Sequence, residues 1–298
     1  MKSITVLSGK GGVGKSMLAS SLAVLLAGER KIVAADCDVD APNLGLSLGL
    51  NDDMYDTWKE ITTNKKALLK KDLCTGCKEC LGICAFGAIT WDKSLEKPVF
   101  NNLKCEGCGA CLIACPNNAI KLESVKNAKI GIGKTKYGFP IVTGQMKMGH
   151  SGSGKVVFYV KKKAQEIAQH EKSDLMLIDA AAGIGCPVIA SIQGSDYVIA
   201  VTEPTPSALN DLKRALSVVN HFGIRSGIVI NKFDLNEGFS KKIEKFSAAN
   251  GIRLLGKIPY SRKFVEALVN LEPVVDYDKG FETVFRRILG GMEKAKSL

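Results

Sequence analysis

A glycine-rich loop near the start of the chain has the residue types and spacing that bind nucleotide phosphates. Residues 9–16 read Gly-Lys-Gly-Gly-Val-Gly-Lys-Ser, follow the strand-like run Ile4–Leu7 and open a helical stretch. The glycines let backbone N–H groups close around phosphate oxygens, and the helix N-terminus adds a favourable dipole. We predict that Lys15 reaches the β- and γ-phosphates and that Ser16 holds Mg²⁺. The predicted nucleotide-binding residues of this loop are Gly11, Gly12, Val13, Gly14, Lys15, Ser16 and Met17.

A second glycine-rich stretch at residues 149–155 looks similar but lacks two features of a phosphate loop. No Ser or Thr follows Lys155, and we predict no strand that ends just before the stretch. Both features are part of the motif's context. We therefore predict a flexible loop here.

The cysteines offer a second kind of chemistry, because eight of the ten lie between Cys74 and Cys115. They form two C-x₂-C-x₂-C-x₃-C runs, which are similar to the run of bacterial ferredoxins. There, three thiolates cap one face of a [4Fe-4S] cluster and the fourth cysteine ligates the other cluster. Zinc is the main alternative, since C-x₂-C pairs also bind it, but two identical runs favour two [4Fe-4S] clusters. The predicted ligands are Cys74, Cys77, Cys80 and Cys115 for cluster I, and Cys84, Cys105, Cys108 and Cys111 for cluster II.

The early lysine of the phosphate loop makes the loop more specific. Lys10 gives the pattern K-G-G-x-G-K-S, which resembles the deviant Walker A motif of the MinD, ParA, Mrp and nitrogenase iron-protein ATPases. The resemblance implies that Lys10 reaches across a dimer to the partner's ATP, as a catalytic cation that stabilises the transferring phosphoryl group. It also implies Mg-ATP and ADP as ligands, slow hydrolysis, and a homodimer, or a heterodimer with a paralogue, in the ATP state.

Three aspartates follow strand-like runs at positions that the resemblance makes functional. Asp36 and Asp38 look like the family's switch I segment, in which Asp38 orients the attacking water or acts as base and Asp36 lies near Mg²⁺. Asp179 ends the run Leu175–Ile178 and resembles the Walker B carboxylate, a further Mg²⁺ contact. Relatives usually have D-x-P-P-G there, whereas this chain has Ala180–Ala182 before Gly183. The loss of both prolines should loosen the backbone.

The base of the nucleotide has a weaker signature. Residues 231–234 read Asn-Lys-Phe-Asp after a strand-like run and resemble an N-K-x-D site. The resemblance implies that Asn231 contacts adenine and that the strand end Ile258–Tyr260, with Pro259 at its centre, packs beside it. ATP is therefore favoured over GTP.

Cys37 and Cys186 lie outside the two runs. Cys186 falls where the nitrogenase iron protein places a ligand of its dimer-bridging cluster, but the sequence shows no convincing second ligand of that kind. We interpret Cys186 as structural.

Short apolar runs and helical stretches alternate along most of the chain. Buried-strand runs at 175–178, 197–201 and 226–230 are separated by helical stretches at 161–171, 207–222 and 240–250. This pattern predicts an α/β fold: a parallel, doubly wound P-loop NTPase sheet with a small inserted ferredoxin-like α+β domain. Residues 1–71 and 125–298 are predicted to form the ATPase domain, and residues 72–124 the insert.

The amino-acid composition and the distribution of charge argue against some classes of protein and partner. Aromatic residues are 6% of the chain, which argues against a nucleic-acid reader built on stacking platforms, so no nucleic-acid partner is expected. No run approaches the ~18 apolar residues that cross a bilayer, and we expect a cytoplasmic protein with reduced cysteines. Residues 125–163 hold nine lysines and no acidic residue. This segment is either a solvated connection or a docking face for an acidic partner or an anionic membrane.

The last helical stretch could have either of two roles. Its apolar residues make one helical face, with Arg286 and Arg287 beside it. It looks somewhat like a MinD membrane-targeting tail, but a last helix docked on the core is favoured. The apolar residues are Phe281, Val284, Phe285, Ile288 and Leu289.

Three functions fit these parts. In the first, nucleotide state and dimerisation control electron transfer through the clusters. The second is an iron–sulfur carrier or scaffold of the Mrp type, which eight stable ligands disfavour. The third is a spatial-organising ATPase with redox-sensing clusters. We expect a protein partner that accepts electrons or a cluster.

Overall fold

The computed structural model describes residues 1–293, which form two compact units. The first unit comprises Met1–Trp58, Ile130–Gln145 and the chain from Ser153 onward, and the second comprises Lys59–Lys129 and Met146–Gly152. The limits of 72 and 124 expected for the insert lie inside the second unit. The second unit extends beyond these expected limits because strand Asn64–Leu69 pairs antiparallel with strand Ile120–Val125. Chain on both sides of the cysteine runs therefore belongs to this unit.

Nine strands form one sheet in the order β13-β12-β11-β1-β10-β2-β9-β8-β3. From β13 to β9 every neighbouring pair is parallel. These strands are apolar on both faces, as parallel strands covered by helices must be. The strands of the described chain are β1 (Lys2–Ser8), β2 (Ile32–Cys37), β3 (Thr57–Ile61), β4 (Asn64–Leu69), β5 (Ile89–Asp92), β6 (Lys97–Phe100), β7 (Ile120–Val125), β8 (Ala128–Lys134), β9 (Pro140–Met146), β10 (Leu175–Ala182), β11 (Tyr197–Thr202), β12 (Arg225–Asn231) and β13 (Arg253–Ile258).

Helices cover both faces of this sheet. Side chains alternate along β1, so that Ile4 and Val6 join the core that contains α1 and α11, while Leu7 joins the core that contains α6, α7 and α8. The α/β architecture with a mostly parallel sheet is therefore confirmed. The α-helices are α1 (Lys15–Ala27), α2 (Leu44–Ser47), α3 (Glu79–Ile83), α4 (Ala110–Ala114), α5 (Ser153–Glu171), α6 (Cys186–Ile192), α7 (Pro206–His221), α8 (Glu237–Ala249), α9 (Lys263–Val269), α10 (Val274–Tyr277) and α11 (Glu282–Glu293).

The apolar face of α11 is buried in the first unit. Phe285, Ile288 and Met292 are fully buried, and Leu289 packs in the same core. The helix is therefore docked on the core, as the sequence favours, and this face does not lie open to a membrane. Within residues 1–293, no helix is both long enough and apolar enough to span a bilayer.

The lysine-rich segment forms regular secondary structure, although most of its lysines are exposed or half-buried. It forms β8, β9 and the first half of α5. Residues 149–152 lie in the loop between β9 and α5, whereas residues 153–155 begin α5. The prediction that no strand ends just before residue 149 is wrong, because β9 ends at Met146.

In this segment, Lys126 and Lys147 both pair with Glu60. Lys161 is buried and donates to three backbone carbonyls at the end of α6. At least these three lysines therefore have structural partners.

The second unit contains two copies of one motif, offset by 31 residues from Cys74 to Cys105. Each copy runs strand, cysteine run, short helix, strand: β4, α3 and β5, then β6, α4 and β7. The strands pair between copies, β4 with β7 and β5 with β6, both antiparallel. The unit is thus a small α+β body whose two cysteine runs occupy equivalent positions.

Candidate functional site

The phosphate loop joins the end of β1 to the start of α1, at the carboxyl edge of the sheet. Gly14 precedes the helix with φ +93°, and a Cβ there would lie 2.4 Å from Nδ2 of Asn231. Gly9 is also required, because its Cβ would lie 2.3 Å from the backbone of Asp211 in α7. The free N–H groups of the first turn of α1 face outward from this loop and suit an anion.

The carboxylates reach the same edge through the register of the parallel strands. Asp36 in β2 lies opposite Asp179 in β10, and both are fully buried. The Nζ of Lys15 lies 2.9 Å from Asp179 Oδ1 and 3.3 Å from Asp38 Oδ2. The structure therefore brings together four of the five charged residues that the sequence assigned to phosphate and Mg²⁺ chemistry, and Lys10 is the exception.

The charges of this cluster are strongly coupled. Burial acts to lower the pKa of Lys15, but the carboxylates of Asp179, Asp38 and Asp36 raise it above its usual value. Burial and the neighbouring Asp179 raise the pKa of Asp36 well above its usual range. Burial likewise raises the pKa of Asp38, although Lys15 opposes this. Three carboxylates face one lysine, so the cluster can accept a further positive charge.

This donor set fits Mg²⁺. Oδ2 of Asp179 is buried and has no hydrogen-bond partner among the described residues. Ser16, Asp36 and Asp179 supply the hard oxygen ligands that Mg²⁺ prefers. Mg²⁺ would add the missing charge next to the phosphate loop.

An open pocket of about 500 Å³ lies at this edge, within the size range of small-ligand sites. Val13 and Pro259, both predicted to contact nucleotide, do not line it. Val13 is buried and its carbonyl accepts from Asn231, while the exposed Tyr260 takes the place of Pro259. The predicted residues that line the pocket are Gly11, Gly12, Gly14, Lys15, Ser16, Met17, Asp38 and Asn231.

One wall of the pocket is apolar and, apart from Tyr260, was not predicted. It comes from the segment between β13 and α10, whose apolar spacing in the sequence fits ordinary core packing equally well. The backbone N–H of Tyr260 donates to Asp234 Oδ1 at 2.7 Å, so the N-K-x-D-like run holds this wall in place. The wall consists of Tyr260, Phe264, Val265, Leu268, Pro273 and Val274.

The cysteines of the two runs separate into two groups of four, each lining one cavity. One cavity is lined by Cys74, Cys77, Cys80 and Cys115, and the other by Cys84, Cys105, Cys108 and Cys111. These are the two ligand sets expected from the sequence, with the fourth cysteine exchanged between the runs. All eight are free thiols.

Backbone amides point at several of these sulfurs. The N–H groups of Ala88 and Ala119 lie 3.3 Å from the Sγ atoms of Cys84 and Cys115. Such donors stabilise negative charge on cluster sulfur ligands. Within residues 1–293, no three or more His, Cys, Asp or Glu side chains are arranged to hold a single metal ion. The fit to a cluster therefore rests on the cysteine sets, their cavities and these amides.

A model of the CobQ/CobB/MinD/ParA nucleotide-binding domain matches residues 4–274. The chain belongs to this family. The match covers the phosphate loop, all three aspartates and Asn231, and the family fold and the homologues support ATP hydrolysis. The protein is therefore an ATPase of the MinD/ParA family.

Similar proteins agree with this assignment. An uncharacterized protein of Methanocaldococcus jannaschii is 38% identical over 233 residues, which cover 78% of this chain and 79% of the relative. The septum site-determining protein MinD of Pyrococcus horikoshii, solved with Mg-ADP, aligns with a TM-score of 0.57 at 21% identity over 96% of this chain and 93% of that one. The uncharacterized ferredoxin-like protein YdhY of Escherichia coli is 39% identical over 62 residues, which are 20% of this chain and 30% of YdhY. The YdhY match is only a local likeness.

The lysine that resembles the family's signature lysine has a partner within its own chain. Lys10 is 43% exposed, and its Nζ lies 3.2 Å from Glu203 Oε1, just after β11. Lys232 approaches the other oxygen of Glu203 at 3.3 Å. Glu203 was not predicted, because no motif in the sequence joins it to the phosphate loop. Lys232 belongs to the N-K-x-D-like run, but its contact with Glu203 was not predicted.

The segment after Asp179 departs from the family pattern without becoming irregular. Ala180 and Ala182 continue β10, paired with Cys37 of β2 and Ser8 of β1. The loosening expected from the lost prolines is therefore opposed by strand pairing on both sides. Cys186 follows at the start of α6, where it is exposed.

Proposed function

We propose that this MinD/ParA-family ATPase couples Mg-ATP turnover and dimerisation to electron transfer through two [4Fe-4S] clusters. The observation that carries the proposal is the division of eight cysteines into two cavities of four, in the same chain as the phosphate site. When bound, the clusters would supply one-electron redox chemistry. A protein partner would donate or accept the electrons.

In the proposed nucleotide site each charged residue has one task. Lys15 holds the β- and γ-phosphates, and Ser16, Asp36 and Asp179 hold Mg²⁺ directly or through water. Asp38, 20% exposed and beside Lys15, orients the attacking water or accepts its proton. Asn231 and the apolar wall hold adenine. Lys10 acts on the nucleotide of a second copy or of a paralogue.

Metal content tests the cluster part of the proposal. Protein purified without oxygen should contain about eight iron and eight sulfide per chain, four of each for every cluster. Cys80→Ser should lower the iron content by about half or more, because Cys80 belongs to one set. Cys186→Ser, an exposed cysteine outside both sets, is the matched control and should keep about eight. Stoichiometric zinc without iron would contradict the proposal.

Coupling between the two centres is a separate expectation. The second unit lies in the chain between the Asp38 segment and Asp179, so a change at the γ-phosphate can be transmitted along the backbone. Coupling free energies of about 1 kcal/mol or more are usual, and they act in both directions. We therefore expect ATP affinity to differ by about fivefold or more between the oxidised and the dithionite-reduced protein.

The measurement is ATP titration of both redox states under anaerobic conditions, with cluster potentials recorded in ATP and in ADP. Equal affinities together with equal potentials would contradict coupling. That result would favour the carrier or spatial-organising functions.

A further inference from the structure

The 31-residue offset places two lysines at the same position of the repeat. Lys66 precedes Cys74 by the same interval by which Lys97 precedes Cys105. Each ammonium group donates to the backbone carbonyl of the first cysteine of the other run: Lys66 to Cys105 and Lys97 to Cys74. The two cysteine sets therefore have matching lysine contacts, and differences between the sets can be located residue by residue.

The next position breaks this symmetry. The backbone N–H of Ala67 lies 3.4 Å from Sγ of Cys105. Its equivalent in the second copy is Pro98, which lines the cavity of Cys74 and has no N–H to donate. The set of Cys105 thus has an amide donor that the set of Cys74 lacks, because proline carries no N–H group.

Burial breaks the symmetry at the lysines as well. Lys66 is only 3% exposed, whereas Lys97 is half-buried. A buried ammonium group is screened less by solvent than a partly exposed one. Its charge therefore acts more strongly on the Cys105 set than that of Lys97 does on the Cys74 set.

Two differences act in the opposite direction. The cation Lys78 lines the cavity of the Cys74 set and the anion Glu106 lines that of the Cys105 set, but both side chains are exposed and therefore screened by solvent. Lys66 and Ala67 are buried, so their charge and N–H group are screened less than the exposed Lys78 and Glu106.

The second difference is in burial: Cys105 is 8% exposed while Cys74 is half-buried, and burial disfavours the more negative reduced cluster. This difference is confined to the first cysteine of each run, because Cys80 and its equivalent Cys111 are buried alike, at 7% and 8% exposed.

We propose that the two cluster sites have different redox potentials, and that the site of Cys84, Cys105, Cys108 and Cys111 accepts the first electron. Ala67, Pro98 and Lys66 are the residues that set this order. The inference rests on the proposed function, since it requires both clusters. N–H donors and cations stabilise the reduced, more negative cluster and so raise its potential.

The test is an anaerobic redox titration of the full chain, in which two one-electron couples are followed by electron paramagnetic resonance. Lys66→Gln should lower only the higher couple, because it removes the buried charge. Pro98→Ala should raise only the lower couple, because it restores an N–H donor at Cys74. Each shift should be about tenfold in electron distribution, or about 59 mV for a one-electron couple. Lys93→Gln, the same change on an exposed turn, should move neither couple.

Iron and sulfide content of each variant separates the outcomes. Variants with about eight iron and the shifts described would support the proposal. If the parent protein contains about eight iron but its two couples have the same potential, this inference is wrong and the proposed function stands. A Pro98→Ala variant in which the higher couple shifts would have the same meaning. A parent protein without iron would contradict the proposed function and this inference with it.

Discussion

Replacing Lys15 with alanine should abolish nucleotide binding, a loss of about 100-fold or more in affinity. The side chain is 7% exposed and lies between Asp179 and Asp38. Without it, three carboxylates face the phosphates, and Lys232, the other lysine that lines the pocket, is paired with Glu203. Truncating one partner of a buried, hydrogen-bonded charge pair between two binding partners costs about 2–5 kcal/mol of binding free energy, and about 2.7 kcal/mol corresponds to 100-fold. The measurement is titration with a fluorescent ATP analogue and Mg²⁺.

Lys155→Ala is the matched control for this experiment. Lys155 closes the second glycine-rich stretch and is an exposed lysine of α5, so its removal should leave affinity unchanged. A thermal melt of both variants checks that the fold is retained. Unchanged affinity in Lys15→Ala, or loss of affinity in Lys155→Ala, would overturn the assignment of the phosphate site.

The phosphate loop could be predicted because its information is local. Residue type and spacing within 9–16, between a strand and a helix, determine its conformation, and the φ of Gly14 agrees with the need for glycine there. Asp36 and Asp179 were predicted from their positions after strand-like runs. Asp36 and Asp179 lie opposite each other on the neighbouring strands β2 and β10. This was not predicted, because the register of parallel strands is set by tertiary packing.

Contacts between distant parts of the chain account for what the sequence did not predict. The limits of the second unit depend on pairing between β4 and β7. Neither strand's sequence indicates that it pairs with the other. The ion pairs of the lysine-rich segment could not be predicted, because Glu60, the partner of Lys126 and Lys147, lies outside it. The apolar wall of the pocket has helical spacing, which does not distinguish a ligand site from a core.

Glu203 is the most informative of the missed residues, because it bears on the role of Lys10. The two residues are 193 positions apart in the chain. To act on a partner's nucleotide, Lys10 must leave Glu203. An exposed ion pair contributes only about 0–1 kcal/mol, and Lys232 stays beside Glu203 to balance its charge. The contact therefore holds Lys10 near the loop without preventing its transfer.

Lys10→Ala should consequently keep ATP binding within about twofold and reduce ATP hydrolysis by about 1000-fold, the lower end of the effect of a cation supplied in trans. Binding should survive because Lys10 does not line the pocket and its Nζ contacts Glu203 instead. ATP-dependent dimerisation, measured by light scattering, should be lost together with hydrolysis. Glu203→Gln is the matched control: it breaks the same ion pair but leaves Lys10 in place, so hydrolysis and dimerisation should persist. If Lys10→Ala hydrolyses ATP at the parent rate, Lys10 is an ordinary surface residue. If Glu203→Gln loses both hydrolysis and dimerisation, the site requires the ion pair rather than the transfer of Lys10.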